Sequence, residues 1–220
     1  MRIDYDLSAL RKALVNASVA LIESKELLTH IDNLSGDGDL GISMQKAGRS
    51  VLRELDKSDE DGIAGLLSRC AVSINLDAPS TMGTLTSFSL MEAAKQMKGK
   101  ERFSIPDLLR IPFRMVEIIM IRGRAQRGDK TVLDALVPYA EALSEQYLDE
   151  LDIEKAAAYA AEAAEQAAND TRGHLAKIGR AKWIAERSRD CPDGGAVVCA
   201  IVVNAIIGKR IIVSVETKGF

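Results

Sequence analysis

The chain has 220 residues, 47% of them hydrophobic and 28% charged, which fits one globular domain with a sizeable core and excludes a disordered chain. Its 29 basic and 32 acidic residues are interspersed, so the net charge of −3 gives no positive field of the kind that binds nucleic acid. Three cysteines without paired spacing exclude a zinc site or a secreted disulfide framework and predict a reducing, cytoplasmic setting.

Apolar residues at three- and four-residue spacing predict a first helix over residues 7–31, and the same pattern predicts a second over 40–55 with Asp39 at its N-cap. Further helices are expected at these approximate ranges: 60–75, 83–97, 105–122, 131–148, 152–172 and 176–187. Aromatic residues make up only 4%, which also favours helices.

The apolar run 196–207 is too short to cross a membrane and longer than a usual strand, so we expect a buried helix after a capping Asp193. The tail, 209–220, alternates apolar and polar residues and is expected to be a short strand or a docked arm. No linker or repeat divides the chain. Residues 1–220 are therefore predicted to form a single all-α domain of about eight amphipathic helices, with its core at about 7–208.

The segment "DNLSGDGDLGISM", residues 32–44, gathers Asp32, Asp37 and Asp39 among three glycines. Two carboxylates about 4 Å apart repel by roughly 4 kcal/mol at an effective dielectric of 20, so their convergence calls for protons or a cation. Oxygen ligands suit Mg²⁺ or Ca²⁺, although the segment lacks the twelve-residue register of an EF-hand. The alternative is an ordinary Asp-Gly turn that caps a helix.

Three later loops carry further candidate residues. The loop "DAPSTMGTL", 77–85, either admits a phosphate or is a turn capped by Ser80 or Thr81. The segment "RGRAQRGDKTVLDALVP", 122–138, taken alone is expected to be a solvated connection. The segment "GRAKWIAERSRDCPDGGA", 179–196, combines arginines with an Asp-Gly turn at Asp193; arginine suits phosphate recognition but often only pairs or snorkels on such helices.

In order and spacing, these four loops resemble the L subunit of dihydroxyacetone kinase, the nucleotide-binding subunit of that family, over residues of about 7 to 208. The "GDGD-x-G-x-x-M" and "GDKT-x-x-D" patterns carry the resemblance most specifically. It implies an antiparallel barrel of eight amphipathic helices with the nucleotide at one end. Two departures stand out: Leu40 replaces the family's histidine, and "APSTMGTL" contains bulkier residues than the family's glycine loop.

The resemblance also implies the site residues. Asp32, Asp37 and Asp39 take the positions that bind two Mg²⁺ ions, and Arg180 is the candidate for phosphate contact. The positions that correspond to the family's contacts with ADP or ATP are Leu40, Gly41, Ile42, Ser43, Thr81, Met82, Gly83, Gly123, Val132, Arg180, Asp193, Gly194 and Gly195. No side chain of this chain is expected to act as a catalytic nucleophile, and His30 and His174 are expected at the surface or in caps.

The implied function is a kinase subunit that transfers a phosphoryl group to dihydroxyacetone, or to a related short keto-sugar, held on a separate K subunit. The donor is either free ATP or ADP rephosphorylated by a phosphohistidine carrier of the phosphoenolpyruvate system. A homodimer or a hetero-oligomer is expected, without nucleic acid or membrane. Two alternatives stay open: a non-catalytic nucleotide-binding regulator, suggested by Leu40, and a kinase subunit for a different acceptor.

Overall fold

A computed structural model describes residues 5–57, 60–179, 182 and 188–210. Within these residues the chain is all-α, as predicted, with nine helices and one short antiparallel pair of strands, β1 (Tyr5–Asp6) and β2 (Arg102–Phe103). The helices are α1 (Leu7–Glu23), α2 (Lys25–Ser35), α3 (Leu40–Leu55), α4 (Gly62–Asp77), α5 (Thr81–Gln96), α6 (Ile105–Gly123), α7 (Leu133–Glu150), α8 (Ile153–Asp170) and α9 (Gly194–Ile206). None of these helices is long and apolar enough to cross a membrane.

Eight of the described helices close into a ring. Helices α3 to α8 each pack against the next in sequence, α8 packs against α9, and α9 and α3 both pack against α1. Side-chain pairs between α3 and α4 show that these neighbours are antiparallel: Ser50 bonds Asp77, whereas Glu54, one turn later, pairs with Arg69 further back along α4. The predicted helical barrel is therefore confirmed, with α2 packed beside α3 and α9.

The prediction of one continuous helix over 7–31 was wrong, because the structure divides this range between α1 and α2. The backbone of Ser24 (φ −83°, ψ 7°) leaves the helical region, so α1 ends and α2 begins around it. The apolar stripe shows the reason: after Leu21 the next positions on the same face are Ser24 and Lys25, and the next fully buried side chain is Leu28. One turn without apolar contacts allows the axis to change direction, and α2 can then carry its C-terminal residues to the start of α3.

The run of apolar residues near the C-terminus forms α9, a buried helix as predicted. Its side chains are buried on nearly every face, from Ala196 to Ala205, because α1, α7 and α8 surround it. Five of the alanines of α8 are fully buried and allow close approach of the neighbouring helices. The helix predicted at 176–187 does not begin at 176, since 176–179 are not helical; most of the rest, and the tail from 211, lie outside the described residues.

Helices α2 and α3 approach closely at Gly41. A Cβ atom on this residue would overlap the carbonyl oxygen of Lys25 and the hydroxyl of Thr29. Only glycine fits this contact, so the identity of residue 41 sets the distance between the two helices that flank the aspartate loop.

The substitution Gly41→Ala should lower the free energy of unfolding, because overpacking costs about 1–3 kcal/mol and exceeds the roughly 1 kcal/mol that alanine gains in helix propensity. Urea unfolding measures the effect. The control is Gly123→Ala, where a Cβ atom would lie 3.6 Å from the Leu85 side chain, an ordinary contact. Equal stability of the two variants would contradict the close packing of α2 on α3.

Candidate metal and nucleotide site

Three carboxylates meet where α2 leads into α3. Asp32 lies in the last turn of α2, Asp37 in the connecting loop and Asp39 at the N-cap position of α3. One carboxylate oxygen from each residue lies within 4.8 Å of the others, with Asp32 half-buried and the other two exposed. The side chains therefore converge on one point that solvent and a ligand can reach.

The glycines of this loop permit the convergence. A Cβ atom on Gly36 would overlap the Asp32 carboxylate, and one on Gly38 would overlap the Asn33 side chain. Gly38 also has a φ of +80°, a conformation that L-residues with side chains rarely adopt. The loop is thus shaped so that the chain folds back tightly over Asp32 and brings Asp37 and Asp39 beside it.

Asp32 also fixes the start of α3. Its Oδ2 accepts a hydrogen bond from the backbone N–H of Leu40, at 3.0 Å. Asp39 occupies the N-cap position that the sequence predicted, but its side chain makes no capping hydrogen bond. Since the first N–H groups of a helix point out of its N-terminus, Asp32 places the carboxylate cluster and an anion-attracting helix end side by side.

The 77–85 loop is a capped turn, as one of the two interpretations predicted. Ser80 accepts a hydrogen bond from the N–H of Gly83, at 3.1 Å, and a Cβ atom on Gly83 would overlap the Ala78 carbonyl. Thr81 is exposed, whereas Met82 packs against the main core. One turn into α5, Leu85 lies beside Gly123, so the start of α5 and the end of α6 share one end of the barrel.

The 122–138 segment is only in part the solvated connection that was predicted: Arg122, Arg124 and Arg127 are exposed, but the turn that follows them is buried. Asp129 is 7% exposed and Lys130 only 4%. Asp129 accepts from the N–H of Gln126, and Asp134 accepts from the N–H groups of Gly128 and Thr131, so two carboxylates of the "GDKT-x-x-D" pattern hold the turn together. The expectation failed for this turn because the side chains of Asp129 and Asp134 satisfy backbone N–H groups of the turn itself.

Lys130 was not among the residues predicted from the sequence to belong to the site. Its backbone has a φ of +63°, and its Nζ donates to the carbonyl oxygens of His174 (3.1 Å), Ser188 (2.5 Å) and Cys191 (2.9 Å). Burial lowers the pKa of this ammonium group. The only available signal was the compact "GDKT-x-x-D" pattern, which does not reveal partners more than 40 residues away.

The segment around Asp193 joins the start of α9 to two other candidate loops. Asp193 caps α9 by accepting from the N–H of Ala196, at 2.7 Å, and burial raises the pKa of Asp193 to about 7. A Cβ atom on Gly194 would lie 2.5 Å from the Leu40 side chain, and one on Gly195 would lie 3.2 Å from the backbone nitrogen of Val132. The N-termini of α3 and α9 and the "GDKT" turn therefore pack against one another.

Leu40, which stands where the family's histidine is expected, has a packing role. Its side chain is partly buried against the main core and occupies the space in front of Gly194. A larger residue at 194 would displace it. The apolar contact thus links the start of α3 directly to the start of α9.

The remaining candidate residues differ in burial, and some of them lie outside the described residues. Gly41 is buried between α2 and α3, Ser43 is buried and Ile42 is exposed. Arg180, the candidate phosphate contact, and Arg187 lie outside the described residues, whereas Arg189 is exposed. His30 and His174 are both exposed, as expected. The three cysteines are free and buried.

Comparison with known proteins places the chain. Residues 35–208 match the family model for the DAK2 domain. The chain is 35% identical over 187 residues to L-erythrulose kinase of Pectobacterium atrosepticum. The aligned region covers 81% of this chain and 31% of that protein. The chain is also 28% identical over 171 residues to the ADP-binding subunit DhaL of the PEP-dependent dihydroxyacetone kinase of Escherichia coli. The aligned region covers 78% of this chain and 81% of that subunit.

The chain thus spans about a third of the erythrulose kinase but most of the separate subunit. Among solved structures, it is similar to the dihydroxyacetone kinase of C. freundii in its native form, with a TM-score of 0.71 and 21% identity over 94% of this chain and 36% of that one. The same kinase in complex with AMP-PNP and Mg²⁺ gives a TM-score of 0.69. The structural likeness agrees with the eight-membered ring of helices, and the family model covers most of the chain: this protein belongs to the DAK2 domain family.

Proposed function

We propose that this chain is the nucleotide-binding subunit of a dihydroxyacetone kinase-type phosphotransferase. It binds ADP or ATP with Mg²⁺ at one end of the helical barrel and delivers the terminal phosphoryl group to a short keto-sugar on a separate K-type subunit. The observation that carries the proposal is the convergence of Asp32, Asp37 and Asp39 within 4.8 Å at the start of α3.

The cluster fits a hard divalent cation. All three donors are carboxylate oxygens, which Mg²⁺ prefers, and three such groups this close repel one another unless positive charge lies between them. Asp37 and Asp39 are exposed, so phosphate oxygens could reach a cation that the cluster would hold. Two Mg²⁺ ions shared between the carboxylates and the phosphates are the arrangement we propose; bound there, they would neutralise the charge on the transferring phosphoryl group.

The adjoining helix ends suit the nucleotide. The starts of α3 and α9 lie together through Leu40 and Gly194, and Val132 packs on Gly195. N–H groups at helix N-termini attract phosphate oxygens, and glycine backbone allows them a close approach. Two relatives support this assignment: the Escherichia coli subunit is named as ADP-binding, and the C. freundii kinase has been solved with AMP-PNP and Mg²⁺.

The contribution of this chain to catalysis is positioning rather than covalent chemistry. The carboxylates would hold the metal, and the helix ends would hold the phosphates in line with an acceptor supplied by the partner. Phosphoryl transfer needs this orientation and charge neutralisation more than it needs a protein nucleophile. We accordingly propose no catalytic side chain here.

The names of the relatives support the acceptor class. The matched proteins include kinases of dihydroxyacetone, of L-erythrulose and of D-erythrulose, which are keto-sugars of three or four carbons. The match to a PEP-dependent subunit supports a separate K-type partner and a phosphohistidine carrier as one donor route. Free ATP is the other donor route that we propose.

Asp37→Ala should abolish the stabilisation that Mg²⁺ and ADP give. Ligand at 100 times its dissociation constant adds about 2.7 kcal/mol to the stability of the native state, which raises the melting temperature by several degrees. Thermal unfolding without ligand, and with Mg²⁺ and ADP at about 100 times the dissociation constant, measures the shift for the wild type and the variant.

The matched control is Asp56→Ala, which removes an exposed carboxylate at the opposite end of α3. It should leave the shift intact. The site would be refuted by a wild-type protein that shows no shift, or by an Asp37→Ala variant that shifts as much as the control.

Turnover separates a catalyst from a regulator. Combined with a K-type subunit captured from the same cells, the chain should phosphorylate dihydroxyacetone or erythrulose in the presence of ATP or of a phosphorylated carrier. Formation of the sugar phosphate is measured directly. Nucleotide binding without any turnover on either sugar would favour the non-catalytic regulator instead.

A further inference from the structure

The residues that follow α8 lie beside the residues that lead into α9. Residues 171–174 form the outgoing chain after α8, residues 188–193 form the returning chain before α9, and two hydrogen bonds join the two. The N–H of Gly173 donates to the carbonyl of Arg189, and the N–H of Asp193 donates to the hydroxyl of Thr171, both at 2.7 Å. We call this joined pair of segments, residues 171–174 and 188–193, the neck.

The ammonium group of Lys130 lies in the neck and bonds to both of its sides. The carbonyl of His174 belongs to the outgoing chain, and the carbonyls of Ser188 and Cys191 belong to the returning chain. An ammonium group has three N–H donors, and these three acceptors use them all. A neutral amine has only two N–H donors, and an apolar side chain has none, so the cross-link requires a protonated lysine.

The neck lies directly behind the proposed nucleotide site. Cys191, whose carbonyl Lys130 binds, stands two residues before Asp193, and its thiol lies against the hydroxyl of Ser35 at the end of α2. Val132, two residues after Lys130, packs on Gly195. One lysine thus connects the turn before α7 to the residues that lead into α9.

We propose that Lys130 is a positioning residue for nucleotide binding. By holding both sides of the neck on the "GDKT" turn, it sets the place of residues 193–195 against Leu40 and Val132. The inference rests on the proposed function, because it assumes that the nucleotide phosphates lie at these helix ends. It predicts that the buried cation acts through the geometry of the site and not through contact with the ligand.

The test compares Lys130→Met with Lys177→Met. Both remove one lysine charge near the same turn, but Lys177 is 61% exposed in its side chain and lies 3.6 Å from the Asp129 carboxylate without binding the neck. Calorimetry with Mg²⁺ and ADP gives the dissociation constant, and amide hydrogen exchange reports local opening. Lys130→Met should weaken ADP binding at least tenfold and speed exchange in peptides covering 171–177 and 188–197, with α4 and α5 unchanged.

Two further variants keep the test decisive should Lys130→Met not fold. Thr171→Val removes one neck hydrogen bond with little change of shape and should weaken ADP binding in the same direction, by a smaller factor. Lys130→Arg keeps a cation with several donors and should restore much of the affinity, which a simple loss of packing would not explain.

The outcomes separate the two proposals. If the wild type binds ADP and a folded Lys130→Met or Thr171→Val variant binds it with unchanged affinity, the positioning role alone would be overturned. Faster exchange throughout the protein, without a local excess at the neck, would also overturn it. A wild type that binds no ADP would overturn the proposed function, and exchange at the neck would still show whether Lys130 holds its two sides together.

Discussion

Mutual repulsion of three carboxylates is the constraint around which the site is arranged. Left to themselves, Asp32, Asp37 and Asp39 would separate, yet the loop between α2 and α3 holds one oxygen of each within 4.8 Å of the others. Gly36 and Gly38 allow this only because they have no side chains, and Gly41 brings α2 onto α3. Several local features therefore favour an arrangement that is unfavourable without a cation.

The barrel supplies the rest of the site by placing distant segments at one end. The starts of α3 and α9 meet through Leu40 and Gly194, although more than 150 residues separate them in sequence. The turn before α7 joins them through Val132 and through the buried ammonium group of Lys130. In the function we propose, this geometry would bring Mg²⁺, phosphate and the acceptor on a partner subunit together, which is what phosphoryl transfer requires.

Local patterns predicted much of this from sequence. The helices, the buried α9 and the capping residues Ser80 and Asp193 follow from periodicity and cap chemistry, and the "GDGD" segment pointed to the carboxylate cluster. Long-range partners could not be read in the same way. The local sequence does not distinguish Lys130 from an exposed lysine, because its three acceptors are backbone carbonyls 44 to 61 residues away. The break at Ser24 was visible only as one turn missing from an apolar stripe.

The position of the bound metal would show directly whether the three carboxylates form the site. Crystals grown with Mn²⁺ and ADP should show anomalous peaks in bonding contact with the carboxylates of Asp32, Asp37 and Asp39, with the diphosphate bridging from the metal to the start of α3. Manganese is a suitable replacement because it shares the preference of magnesium for oxygen ligands. Peaks elsewhere, or a nucleotide bound away from this cluster, would show that the three carboxylates do not form the metal site.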